Sequence, residues 1–178
     1  MYGYAFLFTF VVAGVPLGVG FALVALGNRY GSEGARKGRR PGLLLTFLIA
    51  IAAGVVVWLS WLTWDSYYLD EQGIQHGPYS PWQVVACGAT MVVVTVALGL
   101  FSRWPYSGPF AVALGATFGF SMAWGVDALS QDVTGLAGAG LLFLIIGAST
   151  GLLVVAAVTA GATAIYNSTK PRFKRHSQ

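Results

Sequence analysis

Five long stretches of apolar residues, separated by short polar segments, dominate the pattern along the chain. Each runs for about 20 residues or more, which is the length an α-helix needs to cross the hydrocarbon core of a bilayer. Lipid offers no hydrogen-bond partner to an open strand edge or a bare loop, so each stretch is predicted to be helical. The predicted spans are residues 4–26, 42–62, 82–101, 110–129 and 136–165.

Basic residues occur in only three of the connecting and terminal segments. The segment 27–41 holds five Lys and Arg residues, the link between the third and fourth spans holds Arg103, and residues 167–178 hold four. With five spans, these segments share one side of the membrane. Cytoplasmic loops collect Lys and Arg. The pattern therefore predicts an up-down bundle, residues 1–166, with the N-terminus outside and a basic cytoplasmic tail, residues 167–178.

The composition supports an all-α integral membrane protein. The chain is 56% hydrophobic and 9% charged, whereas soluble domains carry about 25% charged residues. We expect a multi-pass protein of a bacterial inner membrane. The basic clusters suit anionic lipid headgroups at the cytoplasmic face better than nucleic acid. The single cysteine, Cys87, excludes an internal disulfide and a cysteine-cluster metal site, and we expect neither metal nor cofactor.

Pairs of glycines four residues apart occur in three of the predicted helices. Such pairs share one helix face and let helix backbones approach closely in a bilayer. The spacing predicts close packing inside the bundle, with docking of a second copy or of another membrane protein as the alternative. The pairs are Gly14 with Gly18, Gly115 with Gly119, and Gly147 with Gly151.

The stretch "WLSWLTWDSYY" concentrates aromatic residues where the second span ends. Trp58, Trp61 and Asp65 share a helix face, and Trp64 and Tyr68 lie on an adjoining stripe. The favoured interpretation is an aromatic belt at the outer interface, in which the Trp61 indole N–H would meet water or headgroups. The alternative is an outward-opening pocket with the tryptophans and Tyr68 as walls and Asp65 at its mouth.

Four titratable residues near the outer face are weak candidates for catalysis: Asp65, His76, Asp127 and Asp132. A carboxylate–imidazole cluster could bind a divalent cation or transfer protons. The spacing matches no zinc motif, so a solvated loop is the simpler interpretation. Asp127 lies about one turn before the fourth span ends, either at headgroup depth or facing the bundle.

The pattern favours a membrane protein without enzymatic activity. It would act through helix–helix contacts, as an accessory or assembly subunit or a small homo-oligomer. The alternative is a membrane-embedded enzyme or a binder of a lipophilic small molecule, with its extracytoplasmic site at Trp58, Trp61, Asp65 and Asp127. A passive channel is the third option. No Lys, Arg, His or Glu lies deep in a span, which counts against an ion pump or a proton-coupled carrier.

Overall fold

The computed structural model describes residues 2–31, 33–64 and 67–169, without the side chains of Gln75 and His76. Its described residues form five helices, each long and apolar enough to cross a membrane. This confirms the predicted number of helices and their length. The helices are α1 (Tyr2–Tyr30), α2 (Leu43–Trp61), α3 (Pro81–Phe101), α4 (Ser107–Gln131) and α5 (Ala137–Thr169).

Two helices continue well past the end of the predicted span. Helix α1 runs to Tyr30 and includes Pro16 without a break, and α5 runs to Thr169. A helix satisfies its own backbone hydrogen bonds in any solvent, so it need not end where the apolar pattern ends. Apolar length therefore sets the minimum extent of these helices.

A short antiparallel hairpin, not predicted from the pattern, lies between α2 and α3. Strand β1 (Tyr68–Leu69) pairs with β2 (Gln75–His76). The Asp70 carboxylate accepts hydrogen bonds from the backbone N–H groups of Gln72 at 2.9 Å and Ile74 at 2.8 Å. Asp70 thus shapes the turn by the local side-chain-to-backbone bonding common for Asp in turns.

Helix α4 lies at the centre of the bundle and contacts the other four helices. Of its most apolar 18-residue window, 67% is buried, against 17% to 28% for the other helices. The sequence of α4 explains this position, because Gly, Ala, Ser and Thr recur on every side of it. Small side chains permit close approach of neighbouring helices from several directions.

Contacts across the glycines of α4 define the direction of its neighbours. A Cβ at Gly115 would lie 2.6 Å from the carbonyl oxygen of Phe47, and one at Gly119 would meet Ile51, so α2 runs parallel to α4. Gly14 faces Phe118 while Gly20 faces Leu114, so α1 runs antiparallel to α4.

The polar segments gather at two ends of the bundle. The backbone N–H of Arg36 donates to the carbonyl oxygen of Arg103 at 2.8 Å, and that of Arg103 donates to Pro41 at 3.1 Å. We call the end that holds residues 33–42 and 102–106 the basic end. The opposite end, which holds the hairpin and residues 132–136, is the acidic end.

Candidate functional site

A cavity of about 440 Å³ lies between α3, α4 and α5, in the half of the bundle toward the acidic end. Pockets for small ligands usually measure about 300–1,000 Å³. One wall, on α3, consists of Val84, Cys87, Gly88, Met91 and Val92. The other walls include Phe120 and Trp124 of α4 and Leu144, Ala148 and Gly151 of α5.

The cavity exists because small residues stand where two helices face each other. On α3 the lining positions recur at three- and four-residue intervals, which places them on one face. A Cβ added at Gly88 or Gly151 would meet nothing within 4 Å. Both glycines are exposed, so the space opens sideways between α3 and α5.

The lining is almost entirely apolar. Tyr79, Cys87 and Trp124 are the lining residues whose side chains contain a polar atom or sulfur, and none of the lining residues is Asp, Glu, Lys, Arg or His. The titratable groups of the lining are the Cys87 thiol and the Tyr79 phenol. The arrangement is suited to holding an apolar molecule by burial and aromatic contact.

The predicted aromatic residues lie beside this cavity without lining it. Trp58 is half-buried against the core around Val57 and Phe120, and among the described residues its indole N–H has no hydrogen-bond partner. Trp61 packs edge-on against Trp82, with ring centroids 6.2 Å apart. Trp64 also contacts Trp82, at 5.8 Å.

The indole N–H of Trp61 differs from the belt expectation. It donates to the Thr90 hydroxyl of α3 at 3.0 Å rather than having only water or headgroups as partners. In Trp64, the corresponding N–H donates to the carbonyl oxygen of Ser60, one turn back, at 3.1 Å. Tyr68 is exposed in β1. The stretch thus belongs to the α2–α3 contact and to the surface of the acidic end.

The titratable candidates do not converge in the part of the chain that is described. Asp65 and the His76 side chain lie outside the described residues. Asp127 accepts a hydrogen bond from the Gln131 side chain at 2.8 Å, one turn along α4. Within the described ranges, no three His, Cys, Asp or Glu residues come together as metal ligands would.

Asp132 organises the beginning of α5. Its Oδ1 atom accepts from the backbone N–H groups of Thr134 at 2.8 Å and Gly135 at 2.9 Å, and its Oδ2 accepts from Ala137 at 3.0 Å. These donors hold the pKa of the Asp132 carboxyl below its ordinary value, with the Ala137 N–H as the largest cause. Hydrogen bonds from N–H groups favour the charged form, so these donors stabilise the Asp132 carboxylate at the beginning of α5.

Gln83 is a buried polar residue that the pattern did not single out. Its side chain is 0% exposed. Its amide donates to the carbonyl oxygens of Trp61 and of Trp64, the latter at 3.1 Å, and its Oε1 accepts from the Ser80 backbone N–H at 3.3 Å. The available signal was the spacing Ser80–x–x–Gln83, a capping box. Gln83 thereby joins the end of α2 to the beginning of α3.

Five of the six glycines in the predicted pairs occupy two kinds of place, while a Cβ at Gly14 would be in ordinary contact with the Phe118 ring of α4. Gly115 and Gly119 face the backbone of α2, where a side chain would collide with carbonyl groups. At the other kind of place, a Cβ would meet nothing within 4 Å; these glycines are Gly18, Gly147 and Gly151. They do not pack against another helix of this chain.

The cavity therefore offers an apolar volume with a lateral opening, and the carboxylates described nearby serve turns and helix ends. Comparisons with protein-family models, with curated proteins and with solved structures give no match for this chain. The features of the chain that bear on its function are therefore the cavity and the distribution of charge between the two ends.

Proposed function

We propose that this chain is a multi-pass protein of a bacterial inner membrane that binds a lipophilic small molecule between α3, α4 and α5. The proposed orientation is an up-down bundle with the N-terminus outside and the basic end in the cytoplasm. Its support is the location of the six basic side chains that the structure describes: Arg29 lies in the last turn of α1, residues 33–42 carry four, and Arg103 is the sixth. Loops rich in Lys and Arg remain cytoplasmic.

The cavity between α3 and α5 is the single observation that carries the binding function. Its lining on α3 and α5 is apolar, and the exposed Gly88 and Gly151 open it to the side between these helices. The part of a ligand that this lining holds must be apolar. Phe120, Trp124 and Met91 favour an unsaturated or ring-containing body, since aromatic rings and the methionine sulfur pack well against rings.

A pair of glycine variants on α5 tests this function. Gly151→Leu places a side chain inside the cavity, whereas Gly147→Leu places the same side chain in open space outside it, because Gly147 does not line the cavity. Each protein is purified in mild detergent, and its extracted lipophilic molecules are quantified by mass spectrometry. We expect one compound to be recovered in a nearly 1:1 ratio with the wild type and with Gly147→Leu. The same compound should be absent from Gly151→Leu.

Equal recovery of every compound from the two variants would contradict the binding function. The matched substitution controls for the effect of a new leucine on α5. Bulk lipids, which coat all three proteins alike, provide the internal reference.

A second candidate function is docking of another membrane helix, or of a second copy, on α5. Gly147 and Gly161 both offer open space to an approaching backbone, and close approach at glycines drives helix association in lipid. Under this function Gly147→Leu abolishes the complex seen by cross-linking in membranes. Gly147→Leu therefore separates the two functions. Under the first it retains the ligand, and under the second it loses the partner.

A further inference from the structure

A second cavity, of about 670 Å³, lies between α3 and α5 at the basic end. Arg36 and Arg40 line it from the segment before α2, and Tyr166 and Asn167 line it from the last turns of α5. Its deeper wall is apolar and includes Val96 of α3 and Val158 of α5. The cavity is thus an open groove, with charged side chains at its mouth and apolar side chains such as the exposed Val158 farther from the basic end.

Two guanidinium groups converge at the mouth. Arg36 Nη1 donates to the carbonyl oxygen of Leu100 at 2.6 Å, and Arg40 Nη1 donates to the same oxygen at 2.9 Å. A guanidinium has five N–H donors, so these bonds leave further donors of both side chains at the mouth. The Leu100 carbonyl carries only the partial negative charge of a helix end, which does not balance two full positive charges.

In the described part of the chain, Glu33 is the carboxylate that acts on Arg36, and its single negative charge does not balance two guanidinium groups. Burial and the nearby charge of Arg40 lower the pKa of Arg36, and Glu33 acts in the opposite direction. The Glu33 carboxylate, however, is engaged at the beginning of α4. It accepts from the backbone N–H of Tyr106 at 2.5 Å, from that of Ser107 at 3.2 Å, and from the Ser107 hydroxyl. An anion at the mouth would complete the charge balance.

The position of the cavity along the bundle axis indicates the kind of anion. Helix α3 ends at Phe101 and α5 at Thr169, so the mouth lies where two apolar helices reach the membrane surface. Tyrosine is enriched at that level, and basic pockets between transmembrane helices bind anionic lipid headgroups. Val96 and Val158 continue the cavity toward the hydrocarbon, in the direction an acyl chain would take.

We propose that this cavity is a binding site for an anionic phospholipid, with the phosphodiester held by Arg36 and Arg40 and an acyl chain between α3 and α5. The site is separate from the one under Proposed function, because its polar lining belongs to the opposite end of the bundle. It requires only that the basic end lies at headgroup level, whichever side of the membrane that is.

The test uses the full chain in detergent and two double variants of equal charge. Arg36→Gln with Arg40→Gln removes the guanidiniums at the mouth. Lys37→Gln with Arg39→Gln removes two exposed charges that do not line the cavity. Native mass spectrometry measures the affinity for dioleoyl phosphatidylglycerol, with dioleoyl phosphatidylcholine as the zwitterionic reference. We expect the first double variant to bind phosphatidylglycerol about 30-fold more weakly, the equivalent of two basic residues at a membrane surface.

Equal affinity of the two double variants for phosphatidylglycerol would overturn the proposal. Inorganic phosphate separates a lipid from a free anion: displacement of phosphatidylglycerol by millimolar phosphate would assign the mouth to a soluble phosphate and overturn the lipid assignment.

If the first double variant does not fold, Ala162→Phe blocks the cavity while both arginines remain, and Gly161→Phe is its neighbour outside the lining. Phosphatidylglycerol binding that is unchanged in Ala162→Phe would overturn the proposal as well.

Discussion

Gln83 shows how one buried side chain can hold two helix ends together. Because its amide serves the carbonyls of Trp61 and Trp64, Gln83→Leu leaves both without that donor at a place with little water. We expect a loss of about 1–3 kcal/mol in the free energy of unfolding, the cost of an unsatisfied buried polar group. Gln72→Leu, at an exposed position of the hairpin, is the control and should leave stability unchanged. Unfolding in detergent with increasing dodecyl sulfate measures both, and equal curves would contradict the role of Gln83.

The lowered pKa of Asp132 leads to a prediction about the stability of the protein at acid pH. The hydrogen bonds from Ala137 and Thr134 lower its pKa in the folded protein below the ordinary value of 3.8. A lowered pKa means that the contribution to stability is complete above the unfolded pKa and is lost as the pH falls below it. We expect the melting temperature of the wild type to fall more steeply below about pH 4 than that of Asp132→Asn, which has no carboxylate to protonate. Parallel slopes would show that Asp132 contributes nothing through its charge.

At the scale of elements, α4 and α5 use glycine in opposite ways. An alanine methyl at Gly119 would collide with the backbone of α2 at Ile51, whereas one at Gly147 would meet nothing within 4 Å. We expect Gly119→Ala to lower the melting temperature in detergent. Gly147→Ala should leave it unchanged or raise it, since alanine is favoured over glycine in a helix by up to about 1 kcal/mol. A similar loss for both variants would show that Gly147 is covered by something other than lipid.

The sequence was informative about elements and much less so about their pairing. The apolar length of each span was enough to predict all five helices, and the glycine spacing marked faces suited to close approach. The spacing could not distinguish Gly119, which meets α2, from Gly147, which faces outward, because both belong to the same four-residue pattern. The cavity depends on Gly88 of α3 and Gly151 of α5 lining the same space, a relation between two helices that no local pattern contains.

At the scale of the whole molecule, the two ends differ in charge and should lie on opposite sides of the membrane. In a Cys87→Ala background, Lys37→Cys and Glu71→Cys place single thiols at exposed positions of the basic and acidic ends. A membrane-impermeant maleimide added to intact spheroplasts should label Glu71→Cys at once, and Lys37→Cys only after permeabilisation, because Lys- and Arg-rich loops stay cytoplasmic. The reverse pattern would invert the orientation, and labelling of both would contradict the five-span arrangement.

The central position of α4 has a consequence for biogenesis. Helix α4 has the lowest mean hydropathy of the five. Its free energy of transfer from the insertion channel into lipid is therefore the least favourable. When it emerges, α1 and α2 have already been made, and these are the helices whose small-residue contacts with α4 are closest. Synthesis in the order of the chain therefore supplies α4 with a protein surface before it must leave the channel. In a chain that lacks α2, we expect α4 to remain at the insertase, where membrane proteases can reach it.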